Sequence, residues 1–593
     1  MAPQDLDHVR GELRRLGYLD QGVERFLLQD ALRPRRSFRS LVVLVLKVAL
    51  LGGALLALAA ALGLALANDL FASRPFDLLP LYLHLLPPMV LGVGCAFAVL
   101  AGLLFVVLQV SHTRKIELVT YGIAVLAAGA AVLGAWWQAR TAVTGGVALG
   151  VLMVGVLIVA YVLIEVLHGA LLALAVRLTD LTPRRRVTRW LVGALAMILA
   201  VVLLVLPAVL AVQHETATLP GNIPLDTSAS VLLIGIDGVL PTELDYVLAS
   251  GELPALSSLI EEGAALRPYQ RPAGPPASLW TSVATGLKPT DHGMVSIDTF
   301  RPLGVSRPLG RVGWFRPYFG QVERALGLME YQPVLAQERR GWFLWELAAR
   351  GGDPVVSVNW WGTYPALPDD VDAPSLVLAH GAYQLLDATD GGNIVAPESA
   401  LEAVRELARQ PGELSPGLSR LGPSIAETAL LPDVFHRRLA ASQLGVNPRV
   451  LAVYFPALDI IPDGEKLGSP AHADLLRWQL GSTDALLAEA MNGRDAIAVV
   501  FDPGRRDATE GRVVLWHRAG CDGDDSSIEP RQIASSLARA LSLPMSRRWL
   551  EPPPGCSWPV PSIEIDSFGD RRVVDESESS QEYLESLRSL GYI

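Results

Sequence analysis

The sequence predicts an α-helical membrane bundle of five transmembrane helices, followed by an α/β domain with a largely parallel sheet. Hydrophobic residues make up 51% of the 593 residues. They concentrate before about residue 213, in stretches long enough to cross a bilayer. The later part alternates short apolar runs with amphipathic stretches, which is typical of a sheet covered by helices. A chain of this length also needs at least two folding units.

The membrane part, residues 41–212, contains five apolar stretches. A helix needs about 20 apolar residues to cross the hydrocarbon layer of a membrane. The candidate spans are Leu41–Ala67, Leu85–Val110, Leu118–Trp137, Val147–Val176 and Trp190–Val212. Residues 1–40 are largely polar, so a cleaved signal peptide is not expected before the first span.

Basic residues cluster in alternate loops of this part. They precede the first span and lie between spans two and three and between spans four and five: Arg33, Arg35, Arg36, Arg39, Arg114, Lys115, Arg177, Arg184, Arg185, Arg186 and Arg189. Because such residues favour the cytoplasmic side, residues 1–40 are predicted to be cytoplasmic. Five spans then place everything after Val212 outside the cytoplasm, by analogy in a bacterial periplasm.

The charge and the cysteines narrow the function classes further. A net charge of −11 argues against binding nucleic acid through a basic face. Cys521 and Cys556 both lie in the polar part of the chain. In an oxidising compartment they could form a disulfide, and two unpaired thiols are an equal alternative.

Residues 213–229 are predicted to be a linker, because they are rich in Thr, Pro, Asn and Gly. The α/β domain, residues 230–593, then begins. Its buried-strand candidates are Val231–Ile236, Val355–Val358, Val450–Phe455 and Ala496–Phe501, and its helical segments include Glu243–Gly263 and Ala471–Ala490. Strands that alternate with helices predict a parallel sheet covered on both faces.

An aspartate follows three of these strands. Asp237 and Asp502 come directly after their strands, and Asp459 follows a few residues on. A single aspartate at such a place is usually a cap or turn residue. Ligands of parallel sheets bind beyond the carboxyl ends of the strands. Three aspartates at strand ends therefore indicate either a cation site or a structural role.

Five motifs together resemble a known family. They are VLLIGIDG (Val231–Gly238), LASGELPALSSLIEEGA (Leu248–Ala264), PPASLWTSVATGLKPTDHGM (Pro275–Met294), VSVNWWGTYPA (Val356–Ala366) and VYFPALD (Val453–Asp459). In this order they resemble the alkaline phosphatase superfamily, in its type I phosphodiesterase/nucleotide pyrophosphatase branch. The resemblance implies an alkaline-phosphatase-like sandwich. It also implies metal-dependent phosphoester hydrolysis, with two ions, usually zinc, and a Ser or Thr nucleophile.

The nucleophile position departs from the family pattern. By the spacing to Thr285-Gly286, that position is Pro276, which has no hydroxyl to attack phosphorus. Ser278 and Thr281 are candidate substitutes. A shift of two residues along the chain moves the oxygen by several ångströms, which in-line attack does not tolerate without a changed loop.

The metal ligands depart as well. Asp237, Asp459 and Asp502 match the family's metal-binding aspartates. The three histidines that the family adds are absent: their positions read Asp463, Pro503 and Asp507. Asp463 and Asp507 are thus weaker metal candidates.

A set that contains only oxygen ligands favours Mg²⁺, Ca²⁺ or Mn²⁺ over zinc. His472 is near enough to Asp459 in sequence to be a replacement ligand. Asp291-His292-Gly293 matches a structural turn of the family, and no metal is assigned to it.

Three functions remain open. The favoured one is a pseudoenzyme that binds or scaffolds at the cell envelope, with no cofactor and with an envelope protein, lipid or glycan as partner. The second is a phosphodiesterase or phosphohydrolase with a rebuilt site for a hard divalent cation. The third is a transporter or sensor whose function lies in the helices. That function rests on Glu165 and His168, which share one helix face.

Two loops carry lesser expectations. Arg505 and Arg506 follow Gly504 and are expected to be solvated charges. The stretch Arg301–Gly313 is rich in Pro and Gly and is expected to be a loop near the ligand cleft.

Overall fold

The structure is a computed structural model that describes residues 11, 15, 38–68, 75–111, 116–139, 146–178, 228–272, 274–366, 375–387, 393–412, 414, 418, 425–461, 470–506, 508–560, 563–569, 571 and 581–592. The chain divides into two compact units. The first comprises Met1–His214 and Phe300–Tyr331, and the second comprises Glu215–Thr299 and Gln332–Ile593.

Four long helices are described in the first unit: α1 (Phe38–Ala67), α2 (Leu78–Ser111), α3 (Ile116–Ala139) and α4 (Gly146–Leu178). Three contain stretches long and apolar enough to cross a membrane: Val42–Ala65, Leu78–Leu104 and Leu157–Ala175. The described apolar stretch of α3, Leu118–Gly129, is shorter than a crossing. The predicted fifth span, Trp190–Val212, lies outside the described residues, so the prediction of five spans is not confirmed.

His168, one of the polar pair predicted on α4, is buried. Its Nδ1 lies 3.1 Å from the hydroxyl of Thr120, in the second turn of α3.

Residues 300–331, here called the insertion, leave the α/β unit and join the helices, although the sequence predicted one domain over 230–593. The reason is a shared apolar cluster: Phe300, Leu309 and Phe319 of the insertion belong to one buried cluster with Ala61 and Leu81 of the helices. The stretch Arg301–Gly313 thus belongs to the first unit, and its expected place near the ligand cleft stays a prediction.

Polar contacts also tie the insertion to the helices. The backbone N–H and the hydroxyl of Ser306 both donate to Asp77, at 2.9 Å each. Asn68 donates to the carbonyl of Arg311 at 3.0 Å and accepts from its N–H at 2.9 Å.

The second unit is built on an eight-stranded sheet of order β2-β10-β9-β1-β8-β5-β6-β7. The strands among the described residues are β1 (Val231–Asp237), β2 (Ala265–Gln270), β3 (Asp298–Pro302), β4 (Met329–Pro333), β5 (Val355–Trp360), β6 (Leu376–Ala379), β7 (Val395–Ala396), β8 (Val450–Phe455), β9 (Ala496–Asp502), β10 (Glu510–His517), β11 (Met545–Ser546) and β12 (Glu564–Ile565). The central strands β9, β1, β8, β5 and β6 are parallel, and β2, β10 and β7 add antiparallel pairings at the two sides. The predicted, largely parallel α/β sheet is confirmed.

Helices flank this sheet. They are α5 (Pro241–Ala249), α6 (Pro254–Glu261), α7 (Pro276–Thr285), α8 (Pro289–His292), α9 (Leu344–Ala349), α10 (Leu401–Arg409), α11 (Leu431–Ser442), α12 (Ala457–Ile460), α13 (Pro470–Ala490), α14 (Arg531–Ala540) and α15 (Gln581–Ser589). The single helix predicted over Glu243–Gly263 is two helices, because Gly251 has φ +74° and Pro254 begins the next helix.

The centre of the sheet leaves no room for a side chain at Gly235. A Cβ there would lie 2.5 Å from the Trp280 ring. Gly235→Ala is therefore expected to lower the free energy of unfolding by about 1–3 kcal/mol through overpacking.

The matched control is Gly481→Ala, inside α13, where a Cβ would meet nothing within 4 Å. It is expected to add up to about 1 kcal/mol through helix propensity. Urea unfolding of the full-length protein, followed by proteolysis of the unfolded chain, measures both. Equal urea midpoints for the two variants would contradict the close approach of Trp280.

Candidate functional site

Three aspartates meet at the carboxyl end of the sheet. Asp237 ends β1 and lies directly opposite Asp502, the last residue of β9. Asp459 lies in α12, which follows the other neighbour of β1, strand β8. A Cβ on Gly504, which has φ +67°, would lie 2.2 Å from Asp459 Oδ1 and 3.0 Å from Asp237 Oδ1. The three carboxyl groups predicted from the sequence thus form one site, closed by a glycine.

Asp237 is the buried centre of this site. Its Oδ2 accepts hydrogen bonds from the Tyr454 hydroxyl at 2.7 Å and from the Trp280 indole N–H at 3.0 Å. Its Oδ1 accepts from the backbone N–H of Gly238 at 3.1 Å. Burial raises the pKa of Asp237 well above its usual range, and the charges of Asp459 and Asp502 raise it further.

Asp502 is held by an arginine and a tyrosine. The Arg271 Nε lies 3.0 Å from Oδ1, and the Tyr269 hydroxyl donates to Oδ2 at 2.8 Å. The N–H of Gly504 donates to Oδ1 at 2.9 Å. Asp502 has no exposed surface, so Arg271 supplies its counter-charge inside the protein.

Asp459 is held by a second arginine. Arg505 places its Nε 3.1 Å from Oδ2 and donates its backbone N–H to Oδ1 at 2.6 Å. The guanidinium also donates to the Asp459 carbonyl at 2.5 Å. Arg505 is therefore an ion-pair partner of Asp459, while its side chain stays 36% exposed, so the expectation of a solvated loop charge is correct only in part.

The neighbouring Arg506 is also paired, so the same expectation is wrong for it. Its guanidinium donates to Glu243 at 2.6 Å, and the side chain is 8% exposed. His472 lies 2.8 Å from the same Glu243 carboxylate. The Arg506 guanidinium and the hydrogen bond from His472 lower the pKa of Glu243, against the opposing effect of burial. His472, which the sequence suggested as a replacement metal ligand, therefore belongs to a second polar cluster with Glu243 and Arg506.

The nucleophile candidates lie on α7, which is buried along its whole length. Pro276 is its first residue, and Ser278 and Thr281 are 3% and 0% exposed. Thr281 Oγ1 lies 3.4 Å from where a Cβ of Gly362 would be. The α7 side chain that bonds to a site carboxylate is Trp280, which also packs edge-on against Trp360. The helix thus presents an indole donor to Asp237.

The C-terminal tail, defined here as residues 581–592, contacts this end of the sheet. The Arg505 guanidinium donates to the Gly591 carbonyl and lies 5.0 Å from the centre of the Tyr592 ring. Tyr583 stacks on Tyr364 at 3.8 Å, and its hydroxyl lies 3.0 Å from Nδ1 of His380. The arginine that holds Asp459 is therefore itself held by the tail.

Sequence reasoning missed Arg271, Trp280, Tyr269, Tyr454 and the tail. For Arg271 the missing information was the pairing of β2. This strand is antiparallel to β10, which is antiparallel to β9, so β2 and β9 run in the same direction. Arg271 directly follows the end of β2 and therefore comes to the same sheet edge as Asp502.

This arrangement, an α/β domain with acidic side chains at the carboxyl end of a largely parallel sheet, is alkaline-phosphatase-like. Residues 231–499 match the family model of type I phosphodiesterase / nucleotide pyrophosphatase. The match covers less than half of the chain and bears out the resemblance predicted from the motifs.

Similarity to solved structures is weak. Phosphonoacetate hydrolase from Sinorhizobium meliloti, in complex with phosphonoformate, is 16% identical with a TM-score of 0.32, over 48% of this chain and 58% of that one. An alkaline phosphatase superfamily protein from Vibrio parahaemolyticus is 12% identical with a TM-score of 0.29, over 56% of this chain and 71% of that one. This chain thus spans less than two thirds of the hydrolase. No curated protein matches.

The described residues do not fit the two-metal centre that the family implies. A protein nitrogen or hydroxyl lies within 3.1 Å of each carboxylate oxygen of Asp237, Asp459 and Asp502. Guanidinium groups pair with two of the three carboxylates, those of Asp502 and Asp459. Among the described residues, none of the contacts to the three carboxylates comes from an imidazole. Within the described ranges, no group of three or more His, Cys, Asp or Glu residues is arranged to hold a metal ion. Asp463 and Asp507 lie outside the described residues.

Proposed function

We propose that this protein is a membrane-anchored pseudoenzyme whose alkaline-phosphatase-like domain acts in binding or scaffolding at the cell envelope. The observation that carries the proposal is the pairing of Arg271 with Asp502 and of Arg505 with Asp459. Metal ions in an active relative would supply positive charge at these carboxylates. Here the chain supplies that charge itself, and it does so with groups that cannot activate a nucleophile.

The nucleophile position supports the same proposal. Pro276 has no hydroxyl, and its two candidate substitutes are buried on α7. Without a hydroxyl the covalent step of superfamily phosphotransfer is lost. In this proposal the nucleophile is lost and Arg271 and Arg505 take the place of the metal cations. The acidic site is then kept as a structural element of the fold.

We further propose five membrane spans, a cytoplasmic N terminus and an extracytoplasmic, periplasmic α/β domain. The distribution of basic residues supports this topology. Two contacts agree with it. Cys521 and Cys556 form a disulfide, a bond typical of oxidising compartments. The insertion contacts Asn68 and Asp77, which flank the loop between the first two spans, a loop predicted outside the cytoplasm.

The metal content and hydrolytic activity of the full-length protein test the pseudoenzyme proposal. Protein purified in detergent is expected to carry substoichiometric zinc, manganese and magnesium by mass spectrometry. It is expected to hydrolyse bis(p-nitrophenyl) phosphate no faster than the buffer. Pro276→Thr, which restores a hydroxyl at the nucleophile position, is expected to remain inactive because the arginines still occupy the carboxylates.

Two results would overturn the proposal. One is stoichiometric metal together with hydrolysis that Asp237→Ala abolishes. The other is a large rise in unfolding temperature with millimolar Mg²⁺ or Ca²⁺ and hydrolysis under the same conditions, which would establish the rebuilt hard-cation site. Envelope lipids, glycans and membrane proteins that co-purify with the inactive protein are the partner classes to examine.

A further inference from the structure

Besides the buried face that packs on the helices, the insertion has an exposed face with large apolar side chains. Trp314, Val322 and Leu326 are 71%, 49% and 66% exposed, although all are large hydrophobic residues. With the half-exposed Tyr318 they recur at every fourth position along the helical turns Gly313–Phe315 and Tyr318–Glu323. Side chains at this spacing lie on one side of a helix. They form what we call the outer stripe: Trp314, Val322 and Leu326, with Tyr318 at its border, because the Tyr318 hydroxyl donates to the His84 carbonyl of α2 at 3.2 Å.

The outer stripe is continuous with a helix of membrane-spanning length. Glu323, next to Val322, lies 3.0 Å from Nδ1 of His84, and the Leu303 carbonyl lies 2.9 Å from Nε2 of the same histidine. Leu303 is 67% exposed, as are Leu79 and Leu83 of α2 at 66% and 55%. Exposed apolar side chains of the insertion and of α2 thus meet around His84.

The depth of this contact can be estimated from helix geometry. The apolar span of α2 begins at Leu78, and His84 comes six residues later. At 1.5 Å per residue it lies about 9 Å along the helix from the start of the span. Helices that lie in a membrane interface bury their apolar face about 5–10 Å into the boundary of headgroups and acyl chains. His84 thus lies between the start of the apolar stretch, Leu78, and the start of the predicted second span, Leu85, which is where a membrane interface is expected.

The composition of the insertion fits the same environment. Tryptophan and tyrosine are enriched where a membrane meets water. Arg307, Arg316 and Arg324 are exposed on the insertion, and Arg324 lies over the Tyr331 ring at 5.1 Å. Exposed guanidinium groups beside an apolar stripe attract anionic headgroups.

We propose that the insertion is a membrane-interface element whose outer stripe is buried in the lipid of the extracytoplasmic leaflet. Its inner face packs on α1 and α2, and its outer face takes the bilayer as its partner. The chain enters the insertion from the α/β unit and returns to that unit after it, so the insertion is covalently joined to the α/β unit at both ends. This proposal does not depend on whether the domain is catalytically active.

A fluorescent label at Val322 tests this placement. The full-length protein, with the free Cys95 replaced by serine, is labelled with NBD at Val322→Cys and reconstituted in nanodiscs of phosphatidylethanolamine and phosphatidylglycerol. We expect blue-shifted emission, with quenching by doxyl-labelled lipid several-fold stronger than by aqueous iodide. The matched control is Val446→Cys, a valine of the second unit with 56% exposure against 49% for Val322. Its emission is expected to be quenched mainly by iodide.

Leu326→Cys, one helical turn further along the outer stripe, is a second site and is expected to behave as Val322→Cys does. Emission from both stripe positions that matches Val446→Cys would overturn the proposal. Protection from both quenchers that increases when nanodiscs contain two copies of the protein would overturn it too. In that case the stripe would be a contact between copies of the chain.

Discussion

Replacing Arg271 by leucine is expected to lower the free energy of unfolding of the α/β domain by about 3–5 kcal/mol. The variant leaves the carboxylate of Asp502 without its counter-charge, and Asp502 has no exposed surface. Burial already raises the pKa of Asp502, and Arg271 opposes that rise. Without Arg271 the carboxylate must either stay charged without hydration or bind a proton, and both cost stability. Urea unfolding of the full-length protein, with pulse proteolysis of the unfolded domain, gives the change.

Two further variants separate this loss from a general effect of removing an arginine. Arg409→Leu breaks an exposed pair with Glu406, 3.9 Å apart, and is expected to cost less than about 1 kcal/mol. The double variant Arg271→Leu/Asp502→Asn removes both charges and is expected to recover much of the loss. If Arg271→Leu unfolds at the same urea concentration as Arg409→Leu, Arg271 is not the internal counter-charge.

Acid is expected to destabilise the domain through His380. Burial, with a smaller contribution from the charge of His436, lowers the pKa of His380 to about 3. In the unfolded chain its pKa is about 6.5. Below pH 6.5 the unfolded state binds a proton that the folded state does not bind. Stability therefore falls as the pH drops from about 6.5 towards 3, by about 1.4 kcal/mol per pH unit.

The comparison with His380→Gln isolates this group. Glutamine keeps a hydrogen-bonding partner for Tyr583 and packs beside Trp361 without titrating. Between pH 7 and 8.5 the two unfolding curves are expected to differ by a constant amount. Between pH 6.5 and 4.5 the wild type is expected to lose roughly 2–3 kcal/mol relative to the variant. A constant difference over the whole range would show that His380 does not stay neutral in the folded domain.

Much of the α/β domain was predictable because local patterns carry it. Val450–Phe455 was predicted with the bounds that the structure has, and the other three strands differ only at their ends. The apolar runs have the length of strands, and polar segments separate them. This pattern is typical of a parallel sheet that is buried on both faces. The positions of Asp237, Asp459 and Asp502 followed from the same pattern, since strand ends in parallel sheets meet at one edge.

The environment of those aspartates was not predictable from local sequence. Arg271 follows an antiparallel strand, and Arg505 sits in a loop where a charge is usually solvated. Tyr592 is distant from both in the chain. Which cation meets which carboxylate depends on strand order and on the path of the tail, and no local pattern encodes either.

The sequence by itself therefore determined the class of fold, the family resemblance, the shared edge of the three aspartates and the proline at the position expected for the nucleophile, because each follows from short-range patterns or from a residue's own chemistry. Only the tertiary structure decided that Arg271 pairs with Asp502 and Arg505 with Asp459, and that the insertion joins the membrane helices. Both depend on contacts between segments far apart in the chain, where burial forces charges to pair and apolar faces to find a partner.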